Sequence, residues 1–244
     1  MTEIWGHRGA SADAPENTLP AFALALGQGA DGIELDVQLT RDDEVVVIHD
    51  ETLERTTDGH GWVADHSLDE LRRLDASAGW TGFDGTRIPL LAEVLELIRD
   101  SDAVANVELK TDALPYRGIE RRVLEVVGAS GVGERVMFSS FNHYTLATLR
   151  KLGAYQPLGA LVSERLFKPW RYVADLDAAA LHAPYRSATP KLVAKCHDRG
   201  LAVNVWTVNQ PKDLTKQLAL GVDAIMTDVP GFAVQLRDEL ELTG

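Results

Sequence analysis

One cysteine, Cys196, is all the chain contains, so no internal disulfide can staple it. That excludes the small secreted domains that depend on disulfide frameworks. In a helix-like run and without a partner, Cys196 reads as a semi-buried, inert thiol. Positive charge is also in short supply: 24 Lys and Arg face 37 Asp and Glu, a formal net charge of −13. Nucleic acids and anionic membrane surfaces call for clustered cations, so neither is an expected partner. No stretch reaches the roughly 18 apolar residues of a membrane helix, so no stable membrane association is expected. Residues Met1 to His7 carry neither a basic region nor an apolar run, which predicts no secretory leader and a cytoplasmic protein. Linkers rich in Pro, Gly or Ser are missing too, so residues 1–244 read as one domain.

What is present is hydrophobic residues, 45% of the chain, enough for a sizeable core. A length of 244 residues suits one α/β barrel. Short β-like runs fall near 3–7, 31–39, 44–49, 104–110, 135–140, 157–162, 178–182, 201–207 and 223–227. Amphipathic helix-like runs fall near 17–28, 90–99, 116–128, 142–152, 189–199, 211–220 and 230–240. Alternation of this kind predicts a parallel sheet with helices outside it. The run 44–49 follows its neighbour too closely for a helix to intervene, so it is expected to extend the second strand as a hairpin. Residues 50–88 are irregular and read as an elaborated loop on the active face, with a short helix from Ser67 to Leu74. Asn17 suits a helix cap and Pro211 a first helical turn. Gly29–Asp36 resembles Gly221–Asp228, each reading as a helix that ends on Gly and feeds a strand. The helix surfaces show no apolar stripe, so a monomer or weak homodimer is expected.

Alternation also points to chemistry. In the second strand Ile33, Leu35, Val37 and Leu39 alternate with Glu34, Asp36 and Gln38. Period two puts Glu34 and Asp36 on one face, and the apolar set claims the helix side, so both acids point into the barrel. Glu108 and Lys110, alternating with Val107 and Leu109, do the same. Any one such acid could simply pair with a buried Lys or Arg. Three together form an oxygen nest, and each pair at about 4 Å repels by roughly 4 kcal/mol at an effective dielectric of 20. A hard divalent cation, Mg²⁺ or Ca²⁺, relieves that repulsion. His7 and His49 each close a β-run, at the strand ends where barrel enzymes carry their sites. Two imidazoles flanking a phosphorus can serve as general base and general acid. His60, His66, His143 and His197 lack such a setting and read as surface or loop residues. Arg8 and Lys110 add positive charge at the same end. Three carboxylates, one divalent cation, these two bases and a phosphodiester sum to zero, which favours a phosphate ester over a neutral substrate.

These motifs, in this order, resemble the glycerophosphodiester phosphodiesterase family. The resemblance rests on His7-Arg8-Gly9, Pro15-Glu16-Asn17-Thr18, Glu34-Leu35-Asp36-Val37, Val47-Ile48-His49-Asp50 and Arg55-Thr56-Thr57. It continues through Asn106-Val107-Glu108-Leu109-Lys110, Ser139-Ser140-Phe141, Trp206-Thr207-Val208-Asn209 and Gly221 to Asp228. It implies a single (β/α)8 barrel of the TIM type with a small loop and hairpin elaboration after the second strand. It implies metal-dependent hydrolysis of a small glycerophosphodiester to sn-glycerol 3-phosphate and an alcohol. Glu34, Asp36 and Glu108 would ligate one divalent cation, Mg²⁺ or Ca²⁺, while His7 and His49 would do acid–base work. Arg8 and Lys110 would hold the phosphate. Phe141 and Trp206 would line the substrate pocket, or else serve as barrel core. Glu16 and Asn17 would lie near the site and orient His7, Asn17 keeping the helix-cap reading as an alternative. His182, expected to end the sixth strand, could reach the pocket. One departure is visible: Pro89-Leu90-Leu91 stands where the family often has Pro-Thr-Leu.

Two other functions fit the same residues. A lysophospholipase D-like enzyme would need an apolar groove or membrane-binding loops. A non-catalytic binder of phosphate ligands should have lost a histidine or a ligand, and none is missing.

Overall fold

The computed structural model describes residues 1–243. Its parallel strands are β1 (Glu3–His7), β2 (Gly32–Leu39), β4 (Val104–Leu109), β5 (Val136–Ser140), β6 (Leu158–Leu161), β7 (Ala180–Pro184), β8 (Ala202–Trp206) and β9 (Ala224–Thr227). Hydrogen bonding runs β1-β9-β8-β7-β6-β5-β4-β2, and β1 pairs again with β2, which closes the ring. The chain therefore forms a (β/α)8 barrel. A short strand, β3 (Val45–Val47), pairs antiparallel with β2 outside that ring, as the spacing predicts.

Helices α1 (Leu19–Gly27), α3 (Leu91–Leu97), α4 (Ile119–Ser130), α5 (His143–Lys151), α6 (Pro169–Asp175), α7 (Pro190–His197), α8 (Pro211–Leu220) and α9 (Pro230–Thr243) surround the ring, and α2 (Leu68–Leu71) sits in the long loop. The main core lies between sheet and helices. Ile33, Leu35, Val37 and Leu39 of β2 share it with Phe22 of α1 and Leu91, Val94 and Leu95 of α3. Burying each such side chain contributes roughly 1.5–3 kcal/mol. A second core of Val46, Ile48, Leu53, Val63, Leu71, Ala76 and Ile88 lies under the loop after β3, so that segment packs on itself. Among the described residues no helix is long and apolar enough to cross a membrane.

Local chemistry sets the helix ends. Thr18 caps α1, its side-chain oxygen accepting from the Ala21 N–H, so the cap is Thr18 and not Asn17. Asn17 takes a left-handed φ of 57° and turns its side chain towards β2. Pro211 opens α8 as expected, and Gly221 ends it at φ 71°, before the chain enters β9. The departure at Leu90 has a local cost: Leu90 stands at the N-cap of α3 with no oxygen to offer, and only Glu93 reaches back to its N–H, at 2.8 Å.

The sequence reading departs from the structure at two further elements. Helix α6 was not predicted, because only Pro169 and Val173 of its seven residues are buried and no apolar period develops. Strand β7 runs on to Pro184, so His182 lies inside the strand and not at its end. Its ring is fully buried, accepts from the Asn204 amide at 3.0 Å and packs over Gly159. His182 is a core residue, and burial pushes its pKa down to about 3.

Candidate active site

Strand register assembles the site. His7 pairs with Glu34 across β1 and β2, and Asp36 pairs with Glu108 across β2 and β4. Period two turns Glu34, Asp36 and Glu108 inward, and one oxygen from each falls within 4.8 Å of the others. All three are buried. Burial, then the charges of Asp36 and Glu108, push Glu34 well above the carboxylate range. Burial and Asp36 likewise raise Glu108, to about 7. Asp36 behaves differently: burial pushes it up, but the charges of Arg8, His49 and Lys110 and the Asn17 hydrogen bond prevail and hold it below the usual range. The nest resists full ionisation and is short of positive charge, which fits it for a divalent cation.

Both histidines sit beside the nest, each tied at Nδ1. His7 Nδ1 lies 2.7 Å from Asp228 Oδ1, while its Nε2 is 4.0 Å from Glu34 Oε2. His49 Nδ1 lies 2.6 Å from Asp50 Oδ1, and its Nε2 is 3.3 Å from Lys110 Nζ. An ammonium can only donate, so His49 Nε2 accepts and its proton rests on Nδ1, facing Asp50. Asp228 is held in turn by Ser11 Oγ at 3.0 Å and the Asn209 amide at 2.5 Å. Each imidazole thus has an orienting carboxylate at Nδ1, leaving the Nε2 of His7 towards Glu34 and that of His49 towards Lys110.

Arg8 and Lys110 supply the cations. Arg8 Nε is 3.3 Å from Asp36 and its Nη1 2.9 Å from Glu16, and these acids with Glu34 raise its pKa against the opposing effect of burial. Lys110 Nζ donates to Glu108 at 2.9 Å and lies 3.8 Å from Asp36. Burial alone would lower its pKa, but the two acids raise it. Phe141 and Trp206 meet edge to face, with centroids 5.6 Å apart, and Lys110 Nζ is 5.9 Å from the Phe141 centroid. Together with His7, Arg8, Glu34, His49, Asn106 and Glu108, these residues line a cavity of about 260 Å³ at the C-terminal strand ends.

The structure therefore brings together all nine predicted site residues: His7, Arg8, Glu34, Asp36, His49, Glu108, Lys110, Phe141 and Trp206. Glu16 does not orient His7. It pairs with Arg8 and Arg55, and Asp228 holds His7 instead. Asp50 and Asp228, each just past a β-run, are the site residues that sequence reasoning missed. For Asp50 the signal was its place beside His49, whereas Asp228 offered only an acid just past a strand end.

The model of the Glycerophosphoryl diester phosphodiesterase family matches residues 7–232. The chain belongs to that family. A glycerophosphodiester phosphodiesterase from Caldanaerobacter subterraneus subsp. tengcongensis is 43% identical over 236 residues, covering 96% of this chain and 97% of the relative. An Oleispira antarctica phosphodiesterase, solved with the product sn-glycerol-3-phosphate, superimposes with a TM-score of 0.87 at 31% identity, over 98% of this chain and 97% of that one. The glycerophosphodiester phosphodiesterase of Agrobacterium tumefaciens gives a TM-score of 0.84 at 31% identity, over 96% and 100%.

On this member of the glycerophosphoryl diester phosphodiesterase family, a larger groove adjoins the reaction cavity. It holds about 810 Å³ and shares Lys110, Phe141 and Leu161 with it. Val162, Leu166, Phe167, Pro169 and Tyr172 form its apolar wall, and Phe167 is 88% exposed. His143, expected as a surface residue, lines it as well: its ring nitrogens lie 2.6 Å from Tyr172 Oη and 2.8 Å from the Leu161 carbonyl.

Proposed function

We propose that this protein hydrolyses glycerophosphodiesters to sn-glycerol 3-phosphate and an alcohol. The observation that carries the reading is the pair of carboxylate-tied histidines that line one cavity with a buried acidic nest. Glu34, Asp36 and Glu108 would hold one Mg²⁺ or Ca²⁺. When bound, such a cation neutralises phosphoryl charge and lowers the pKa of a coordinated hydroxyl.

Arg8 and Lys110 bind the non-bridging phosphate oxygens, Arg8 through its planar fork and Lys110 as a point charge. With Lys110 engaged by phosphate, His49 Nε2 is released from it and can carry a proton. His7 Nε2 takes the proton of the attacking hydroxyl as the new P–O bond forms. His49 Nε2 delivers its proton to the leaving oxygen as the old P–O bond breaks. Asp228 and Asp50 stabilise each imidazolium in turn. Solvent exchange then returns both rings to their starting states. Phe141 and Trp206 give the cavity an aromatic wall that limits water. A neighbouring glycerol hydroxyl as nucleophile would give a cyclic phosphate first, whereas water would not. Phosphorus NMR under single-turnover conditions separates these routes.

The deciding assay is glycerol 3-phosphate release from glycerophosphocholine and glycerophosphoethanolamine with Mg²⁺, Ca²⁺ or EDTA, beside Glu34→Ala and His49→Ala. Cation-dependent turnover lost in both variants supports the reading. Folded protein that binds glycerol 3-phosphate but turns nothing over would instead be a phosphate-ligand binder.

The apolar groove favours a second substrate class, lysophospholipids, whose acyl chain it would take. Phe167→Asp should then lower kcat/KM for a lysophosphatidylcholine more than tenfold and leave glycerophosphocholine unchanged. The same reading takes residues 1–244 as one catalytic domain, cytoplasmic and monomeric or weakly dimeric. Light scattering and cell fractionation test those points.

A further inference from the structure

Carboxylates and bases at the site form a closed ring that runs partly outside the reaction cavity. From Asp36 the contacts pass to Arg8 Nε at 3.3 Å, and from Arg8 Nη1 to Glu16 at 2.9 Å. Glu16 meets Arg55 through two hydrogen bonds, of 2.6 and 2.8 Å. Arg55 meets Asp50 through two more, of 2.6 and 2.9 Å. Asp50 holds His49, His49 contacts Lys110, and Lys110 returns to Asp36 at 3.8 Å. Charge alternates from Asp36 to Asp50. Glu16, Arg55 and Asp50 belong to neither the nest nor the cavity lining, and Arg55 is the member that joins the other two; its side chain is 47% exposed.

We infer that Arg55 is a positioning residue for both halves of the reaction: through Glu16 it sets the phosphate-binding Arg8, and through Asp50 it sets His49. Only a planar guanidinium can satisfy two carboxylates bidentately at once. A lysine ammonium lacks that fork and can face one acid or the other. Without the Arg55 cation, Glu16 keeps only Arg8 and Asp50 keeps only His49, so the two carboxylates that anchor Arg8 and His49 are themselves no longer held in place. This inference rests on the proposed roles of Arg8 and His49.

Partners that orient active-site groups typically carry about 10- to 100-fold of activity. The experiment is steady-state kinetics on glycerophosphocholine for Arg55→Gln, Arg55→Lys, Glu16→Gln and Asp50→Asn, with thermal melts to establish folding. Glu16→Gln is expected to raise KM, Asp50→Asn to lower kcat, and Arg55→Gln to do both, by about 10- to 100-fold in kcat/KM. Arg55→Lys should recover one parameter but not both. In the double variant Glu16→Gln with Arg55→Gln the losses should fall short of multiplying, because the two residues act as one unit. Wild-type kcat and KM in a folded Arg55→Gln, or a change in melting temperature alone, would overturn the inference. The underlying reading is checked in parallel with Arg8→Ala and His49→Ala. If those two keep full activity, the site assignment fails; if they collapse while Arg55→Gln does not, only the role of Arg55 fails.

Discussion

Asn17 grips Asp36 from both sides: its amide donates to Asp36 Oδ2 at 2.9 Å, and its carbonyl oxygen accepts from the Asp36 backbone N–H at 3.3 Å. A residue at a left-handed φ of 57° is thereby spent on orienting one acid of the nest. Asn17→Asp would replace the donor with a third charge beside Asp36. It is expected to weaken cation affinity by about 10- to 100-fold. Asn17→Gly, which suits the same φ, should weaken it less. Titrating turnover against Mg²⁺ measures both, and an unchanged half-saturation in Asn17→Asp would contradict the assignment.

The two histidines should separate by leaving group. A poor leaving alkoxide needs protonation, whereas a p-nitrophenolate does not. His49→Ala should lose about 10²- to 10⁴-fold on glycerophosphocholine and far less on the p-nitrophenyl ester. His7→Ala should lose comparably on both. Asp228→Asn should follow His7→Ala in pattern, because it frees the His7 ring to take the wrong tautomer. The opposite ranking would exchange the roles of the two rings.

Removing the cation should expose the strain of the nest. In EDTA the wild type carries three buried carboxylates that repel one another. Glu34→Gln relieves that repulsion and is expected to melt higher than wild type without metal, by on the order of 0.5–2 kcal/mol. Added Mg²⁺ should raise the melting temperature of wild type more than that of the variant. Equal metal-free stability would mean that the acids are satisfied by Arg8 and Lys110 alone.

His182 makes a separate prediction about acid. Its pKa lies at about 3 when folded, against 6.5 for the free ring, because burial disfavours the imidazolium. Below pH 6.5 the unfolded chain therefore binds a proton that the folded chain refuses, and stability falls as pH drops towards 3. The slope from this one group is roughly 1.4 kcal/mol per pH unit. His182→Asn should be less stable at pH 7, through lost packing, yet the gap to wild type should narrow at about that rate between pH 6 and 4. Urea unfolding at each pH reads the gap; a constant gap would mean that the ring is solvated.

The fold and most of the site were legible because both are written in period two. Glu34, Asp36 and Glu108 stand out as polar residues inside otherwise apolar strands, and their barrel register follows from that alternation. His182 obeys the same alternation yet is a core residue, because depth along a strand is not encoded in its period. Helix α6 escaped because a short helix with two buried residues leaves no periodic trace. Asp228 escaped as an orienting group because its partner His7 lies 221 positions away, and no local pattern spans that distance. The groove beside Phe167 arises from loop geometry after β6, which side-chain alternation does not specify.

Pairing of β1 with β9 joins the first strand to the last. During synthesis, all three acids and both histidines would have left the ribosome well before Asp228 is added at about 5–20 residues per second. A nascent chain lacking the final strand would hold every reacting group and still have an unanchored His7. Appearance of turnover would then time the closure of the ring, which makes catalysis itself a clock for the last event of folding.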